Sequence, residues 1–265
     1  MRVESKIKNE LEQEWYRSWF NADYLKAYNH RNDDEARQFI NRWNIWNQFA
    51  SPINCLDLAC GSGRYSRAIF QMGHKVIALD ISRDLLQTAV DSSCEDSRSW
   101  ECEGLRYVQG DMLNLPFREH FDMVISMFTS FGYFKDDSAH LQVLSEVSRV
   151  IVSDGLYVLD LPSYEATIKT VKQNPVTVRD FGSYKLFENR VYSEHTKRVE
   201  KRIVFEFENE NREYLESVRL FRYSEIEKMI NKVDLHLVEL WGDYNGNSYN
   251  ILSPRMILFC RKQVR

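Results

Sequence analysis

Leu56-Asp57-Leu58-Ala59-Cys60-Gly61-Ser62-Gly63-Arg64 decides the fold: an apolar strand ends in a turn of small residues and runs straight into a helical pattern. A glycine-rich turn there lets a ligand approach the backbone and aims the free N–H groups of the following helix at it. A single Gly-x-Gly carries little by itself. A dinucleotide site asks for a third glycine where this chain has Ser66, to bring helix and strand together over a pyrophosphate. Here the turn instead follows an acid, Asp57, four residues before Gly61, and a second acid, Asp80, closes the next apolar run.

Outward from that stretch, short apolar runs alternate with helical segments. The runs are INCLDLA (53–59), KVIALD (75–80), LRYVQGD (105–111), FDMVISMF (121–128) and LYVLDL (156–161). The helices fall at Arg64 to Met72, Arg83 to Asp91 and Ser138 to Val150, each opening near a Ser, Gly or Asp suited to capping. This is the pattern of repeated βαβ units on a parallel sheet, and right-handed crossovers place helices on both of its faces. The first fifty residues are helical in pattern and aromatic, with Trp15, Tyr16, Trp19, Phe20, Tyr24, Tyr28, Phe39, Trp43 and Trp46 mostly three or four apart. They read as helices packed on the core, or as a lid that also touches a ligand. After Tyr164 the texture becomes β-rich: SYKLFENRVYSEH (183–195), KRIVFEFENE (201–210) and REYLESVRLFRYS (212–224) predict a small antiparallel sheet. A helix at Ser224 to Asn231 and two final strands, in VDLHLVELWG and RMILFCRK, complete the chain.

Asp57, Gly61, Gly63 and Asp80 in this arrangement resemble the first motif of the class I S-adenosylmethionine-dependent methyltransferases. Two further segments fit. Gly110-Asp111-Met112 resembles the segment that meets the adenine, and Phe121 to Phe128 resembles the fourth strand and the loop facing the reacting methyl. The resemblance implies an α/β fold: a doubly wound, Rossmann-like, seven-stranded and mostly parallel sheet with an antiparallel β insertion and an N-terminal helical cap. The expected organisation is a cap over 1–50, a cofactor domain over 51–164 and 221–265, and an acceptor-side insertion over 165–220. It also implies S-adenosyl-L-methionine as cofactor. In such a site Asp57 organises the turn and the methionine amino group, Gly61 and Gly63 leave room for the ligand, and Asp80 accepts from the ribose hydroxyls. Asp111 receives the adenine amino group and Met112 covers the ring, with Ala59, Ile81 and Met127 as further cofactor contacts. Arg31, in Tyr28-Asn29-His30-Arg31, is a candidate for the cofactor's carboxylate, a surface ion pair being the other reading.

More narrowly, the aromatic N-terminus, MFTSFGYF (127–134) and WGDYNG…SPRMILFCRK resemble a group of bacterial small-molecule methyltransferases. Departures are mild: Cys60 within the turn, and Val152-Ser153-Asp154-Gly155 in place of a commoner proline turn. The expected activity is methyl transfer to nitrogen or oxygen of a small molecule. A protein or RNA methyltransferase and a non-catalytic S-adenosylmethionine-binding protein stay open as alternatives, and the missing third glycine weighs against a nicotinamide oxidoreductase. Ser126-Met127-Phe128-Thr129 stands where some macromolecular methyltransferases carry Asn/Asp-Pro-Pro-Tyr/Phe. Tyr24, Phe131, Tyr133, Tyr164, Tyr244, Tyr249 and Arg255 are candidates for an acceptor pocket, since aromatic faces exclude water and suit a sulfonium. Core packing is the alternative for each. The sulfonium methyl is already activated, so a dedicated base is optional. His30, His140, His195 and His236 stand isolated, and a hydroxyl acceptor could draw on a nearby histidine, Asp243 or Tyr244.

Composition narrows the partners. The 265 residues suit one domain with an insertion, and a formal net charge of −4 provides no positive field for nucleic acid or acidic lipid. The densest basic stretch, Lys197 to Arg202, contains Glu200 and is followed by Glu206 and Glu208, which reads as a solvated strand face. Met1 to Asn9 lacks the apolar core of a signal peptide, and no window approaches a membrane span, so a cytoplasmic location is expected. Cys55, Cys60, Cys94, Cys102 and Cys260 form an odd set without Cys-x-x-Cys spacing, pointing away from disulfides and from zinc or any other metal. The expected partner is a small-molecule acceptor, with no nucleic acid and no membrane, and the protein is expected to be a monomer or homodimer.

Overall fold

The computed structural model describes residues 14–29, 31–43, 46–49, 52–93 and 100–264; His30, Cys94 and the Met1 to Asn9 segment lie outside the described residues. Among the described residues three short helices come first: α1 (Tyr16–Trp19), α2 (Ala22–Ala27) and α3 (Asp33–Asn41). Asparagines start the last two. The Asn21 side chain accepts from the N–H groups of Asp23 and Tyr24, and that of Asn32 accepts from Glu35. Asp33, Asp34 and Glu35 then place negative charge at the positive end of α3.

The alternating segments follow as β1 (Asn54–Leu58), α4 (Arg64–Gln71), β2 (Lys75–Asp80), α5 (Arg83–Asp91), β3 (Glu101–Cys102), β4 (Leu105–Gln109), β5 (Phe121–Ser126), α6 (Asp137–Val150) and β6 (Ile151–Pro162). Next come α7 (Tyr164–Gln173), four strands β7 (Val176–Asp180), β8 (Lys185–Ser193), β9 (Arg198–Glu206) and β10 (Asn211–Arg219), α8 (Tyr223–Ile230), β11 (Leu235–Trp241) and β12 (Arg255–Lys262). The main sheet has the order β11-β12-β6-β5-β1-β2-β4-β3, parallel except where β12 meets β6 and β11 and where β3 meets β4. The seven long strands are those expected, and β3 adds a two-residue edge.

Period-two alternation serves both faces. Cys55 of β1 joins Met123 and Ile125 in one apolar cluster, while Leu56 and Leu58 join Val124 and Leu159 in the other. Strand order reverses at β1, with β2 on one side and β5 on the other. The loops leaving β1 and β5 therefore part and open a crevice at the C-terminal edge of the sheet.

The first turn after β6 departs from the expected alternation: α7 is a helix. Its buried positions, Tyr164 and Val171, are seven apart, a helical interval too sparsely apolar to stand out in sequence. Beyond it β7 to β10 form a separate antiparallel sheet in the order β10-β9-β8-β7. The inward face of that sheet carries Leu186, Ile203, Phe205 and Tyr214, and Trp19 packs on it with its ring 4.8 Å from that of Tyr214. The N-terminal aromatics thus divide. Trp15, Tyr16 and Trp19 join the core that reaches the second sheet, whereas Phe39 and Trp43 pack on the other side near Tyr65 and Phe259. The basic stretch at 197–202 is not a solvated face throughout. The Arg198 guanidinium donates to the carbonyls of Gly132, Tyr133 and Phe134 at 3.1, 2.9 and 2.8 Å, and Lys201 is buried.

Candidate functional site

The turn after β1 is built from left-handed residues, with φ of 60° at Ala59, 56° at Gly61 and 76° at Gly63. The two glycines are required for different reasons. A Cβ on Gly61 would meet only Leu85 at 3.9 Å, so this residue faces open space in the crevice. One on Gly63 would stand 2.8 Å from the Tyr107 hydroxyl and 3.1 Å from Ala89, so Gly63 brings α4 close to β4 and α5. Ser66, in the place of a third glycine, donates its hydroxyl to Asp57 at 2.5 Å. Asp57 is 2% exposed; burial, reinforced by the nearby Asp80 charge and offset by the Ser66 hydrogen bond, pushes its carboxyl up to about 7.

Asp80 ends β2 and ties the turn to the next strand, accepting the Gly61 N–H and the Ser82 N–H, each at 2.8 Å. Burial raises its carboxyl too, against the pull of those N–H groups. Asp111 accepts the Leu113 N–H at 3.0 Å and an Arg17 N–H at 3.3 Å. One cavity joins Asp57, Ala59, Gly61, Asp80, Ile81, Asp111, Met112 and Met127, closed from above by Tyr16, Phe20, Tyr24 and Tyr28 of the cap.

The loop after β5 forms its far wall. Phe128 and Thr129 both adopt left-handed backbone, φ 62° and 64°, which non-glycine residues rarely do. Asp160, fully buried on β6, holds them: its carboxylate accepts the Phe128 N–H at 2.9 Å, the Tyr244 hydroxyl at 2.7 Å and Arg255 Nε at 2.8 Å. Arg255 in turn donates to the Thr129 hydroxyl at 3.0 Å. The Arg31 guanidinium lies over the rings of Phe128 and Tyr28, 3.4 and 4.0 Å from their centroids. A second cavity shares this wall of Phe20, Tyr24, Tyr28, Arg31, Phe128 and Tyr133, and continues between α7, Arg255 and the charged residues Arg190, Lys201 and Glu216 of the second sheet.

Residues 55–155 match the family model of a methyltransferase domain. Over 230 residues the chain is 22% identical to YqeM of Bacillus subtilis (strain 168), a protein provisionally named a methyltransferase, covering 83% of this chain and 90% of that one. Among solved structures, an S-adenosylmethionine-dependent methyltransferase from Clostridium acetobutylicum ATCC 824 superposes with a TM-score of 0.76 at 19% identity, over 91% of this chain and 96% of that one. The S-adenosylmethionine-bound CalS10, an amino pentose methyltransferase from Micromonospora echinaspora, gives 0.62 at 17% identity, over 91% and 96%. The chain is a class I S-adenosylmethionine-dependent methyltransferase. Its cofactor is S-adenosylmethionine.

Of the residues singled out in the methyltransferase sequence, Asp57, Ala59, Gly61, Asp80, Ile81, Asp111, Met112 and Met127 line the first cavity; Tyr24, Arg31 and Tyr133 line both cavities, and Arg255 the second. Five stand elsewhere. Gly63 packs against Tyr107, as above. Phe131 is buried against His140 and Phe221. Tyr164 is buried and shares a 2.6 Å hydrogen bond with the Tyr192 hydroxyl. Tyr244 is turned toward Asp160 with its ring on Phe39, 4.7 Å between centroids, and Tyr249 sits beside Tyr223. His140 is a core residue whose imidazole burial pushes down to about 4, and Asp243 accepts from Asn245 and Asn247 within its own turn. The sequence reading had Tyr28 only within the N-terminal aromatic series and missed the Arg190, Lys201 and Glu216 set. One signal was present: Lys201 shares the strand phase of Ile203 and Phe205, a charge where alternation demands an apolar side chain. Among the described residues no helix is long and apolar enough to cross a membrane.

Proposed function

We propose that this methyltransferase methylates a nitrogen or oxygen atom of a small molecule held in the second cavity. The observation that carries the reading is the shared wall: the pocket carrying the cofactor motif and a second, charged pocket meet across Tyr24, Tyr28, Arg31, Phe128 and Tyr133. In this reading segments 51–164 and 221–265 carry the cofactor, while 1–50 and 165–220 close over the acceptor. A monomer or a homodimer serves, because both cavities are lined from one chain.

The donor set fits the cofactor. Gly61 opens backbone to the ligand, Asp80 stands at a strand end for the ribose hydroxyls, Asp111 and Met112 flank the adenine place, and Met127 borders the reacting end. Asp57 faces the amino group. Arg31, which has no carboxylate partner among the described residues, takes the cofactor's carboxylate. S-adenosylmethionine supplies a methyl already activated on a sulfonium. The protein therefore has to align the acceptor and exclude water, and alignment alone contributes several kcal/mol, on the order of seven or more in favourable cases. The aromatic wall does the excluding. The net charge of −4 and Ser126-Met127-Phe128-Thr129 after β5 favour a small acceptor over protein or RNA. Incubation with methyl-labelled S-adenosylmethionine and fractionated cell extract tests this: label is expected in the small-molecule fraction, and label confined to protein or RNA would overturn it.

Asp57 makes the cofactor step proton-linked. Its folded value of about 7 lies above the ordinary 3.8, so the buried carboxyl keeps its proton in mildly acidic solution. The resulting penalty on folding is absent below the ordinary value, grows as pH rises and is complete above about 7. An ammonium placed beside Asp57 favours the charged form and drives the proton off. Calorimetric titration below pH 7 in two buffers of different ionisation enthalpy should therefore show release of up to about one proton per cofactor bound, fading at higher pH. Binding without proton release would place the amino group elsewhere.

A further inference from the structure

We infer that the acceptor bears an anionic group, a carboxylate or a phosphate, received by Arg190 in the field of Lys201; this rests on the methyltransferase reading of the second cavity. In the second sheet Arg190 of β8 stands opposite Lys201 of β9, and Lys201 stands opposite Glu216 of β10. This charged row interrupts the inward face that Leu186, Ile203 and Phe205 otherwise fill. Lys201 and Glu188 are only 6% and 4% exposed. Ionised groups in such a place cost free energy that apolar side chains would not, so the row is not explained by packing.

The sign of the row is positive. Arg179, Arg190 and Lys201 surround Glu188 at 3.4, 3.0 and 3.7 Å, and Lys201 meets Glu216 at 3.0 Å. Arg255 is matched by Asp160, and Arg31 has no carboxylate among the described residues. Five cations thus face three carboxylates in a chain of net charge −4. The carboxylates are also occupied. Glu216 takes Lys201 on one oxygen and Trp19 Nε1 and the Tyr28 hydroxyl on the other, at 3.1 and 3.3 Å, and Glu188 does not line the cavity. The lone pair left on Glu216 stands beside the Lys201 ammonium, which disfavours an acceptor's ammonium there.

An anion finds an open partner. Lys201 donates to the Tyr28 hydroxyl and to Glu216 and pairs with Glu188 only at 3.7 Å, so what it brings to the cavity is chiefly charge. Arg190 lines the cavity and, among the described residues, commits two of its nitrogens, one to the Thr177 hydroxyl at 3.1 Å and one to Glu188, leaving donors of its guanidinium for a carboxylate or phosphate. Thr167 and Thr170, three apart on α7, line the same cavity, and α7 packs on β8.

The test uses the full chain loaded with S-adenosylhomocysteine, titrated with benzoate, phenyl phosphate, benzamide and benzylamine. Benzoate or phenyl phosphate is expected to bind at millimolar concentration and the neutral and cationic probes to bind far more weakly; the better anion tells carboxylate from phosphate. Arg190→Gln should weaken the anion about tenfold or more, as for loss of a charged hydrogen bond. Arg190→Lys should restore part of it, with S-adenosylhomocysteine affinity unchanged in both. Equal or better binding of benzamide or benzylamine, no binding of either anion, or an anion affinity indifferent to Arg190→Gln in a folded variant would overturn the inference. Failure of S-adenosylhomocysteine itself to bind would instead strike the reading of the first cavity.

Discussion

Replacing Asp80 with alanine is expected to weaken S-adenosylhomocysteine binding by about ten- to a hundredfold, ~1–3 kcal/mol, the range for losing hydrogen bonds to a charged group. The expectation comes from position and from what the carboxylate already does. Asp80 is 5% exposed at the last residue of β2, and its oxygens hold the N–H groups of Gly61 and Ser82, so it shapes the turn that faces the ligand. Alanine removes the proposed ribose contact and frees two backbone donors. Asp80→Asn keeps the size and one acceptor oxygen and should fall between wild type and alanine. Calorimetry on both variants, with circular dichroism to establish folding, checks the effect. Unchanged affinity in folded Asp80→Ala would remove the ribose role.

What the sequence made legible was local. An apolar run, a small-residue turn and a capped helix lie next to one another in the chain, so the path from β1 to α4 and the acids Asp57 and Asp80 could be read without tertiary information. Gly63 could not be separated from Gly61, because the Tyr107 hydroxyl that forbids a Cβ there arrives from β4, more than forty residues away in sequence. Phe131, Tyr164 and Tyr244 sit close to the crevice in chain terms, yet each ring turns into packing; which side a loop aromatic faces is set by neighbours such as Phe221, Tyr192 and Phe39. The charged row of the second sheet was misread for a related reason. In Lys197 to Arg202 the basic residues looked like solvated surface until strand phase assigned Lys201 to the face of Ile203 and Phe205.

Asp160 carries the largest stability effect expected in this methyltransferase. Its side chain is fully buried and joins Phe128, Tyr244 and Arg255, and its carbonyl accepts the Thr129 N–H at 3.2 Å. Asp160→Ala leaves the Arg255 guanidinium without its carboxylate and two further donors unmet; breaking a buried pair from one side costs about 3–5 kcal/mol. Tyr244→Phe removes a single hydrogen bond and should cost about 1 kcal/mol. Urea unfolding of both variants, with Asp160→Asn as the milder change should alanine prevent folding, measures the difference. The effect should extend beyond stability. Left-handed backbone at Phe128 and Thr129 persists only while its surroundings hold it, and Phe128 is the ring under Arg31 on the wall that both cavities share. Loosening that wall should lower affinity for S-adenosylhomocysteine as well as the unfolding midpoint, whereas an Asp160→Asn variant with a wild-type midpoint would show that the loop keeps its shape without the ion pair.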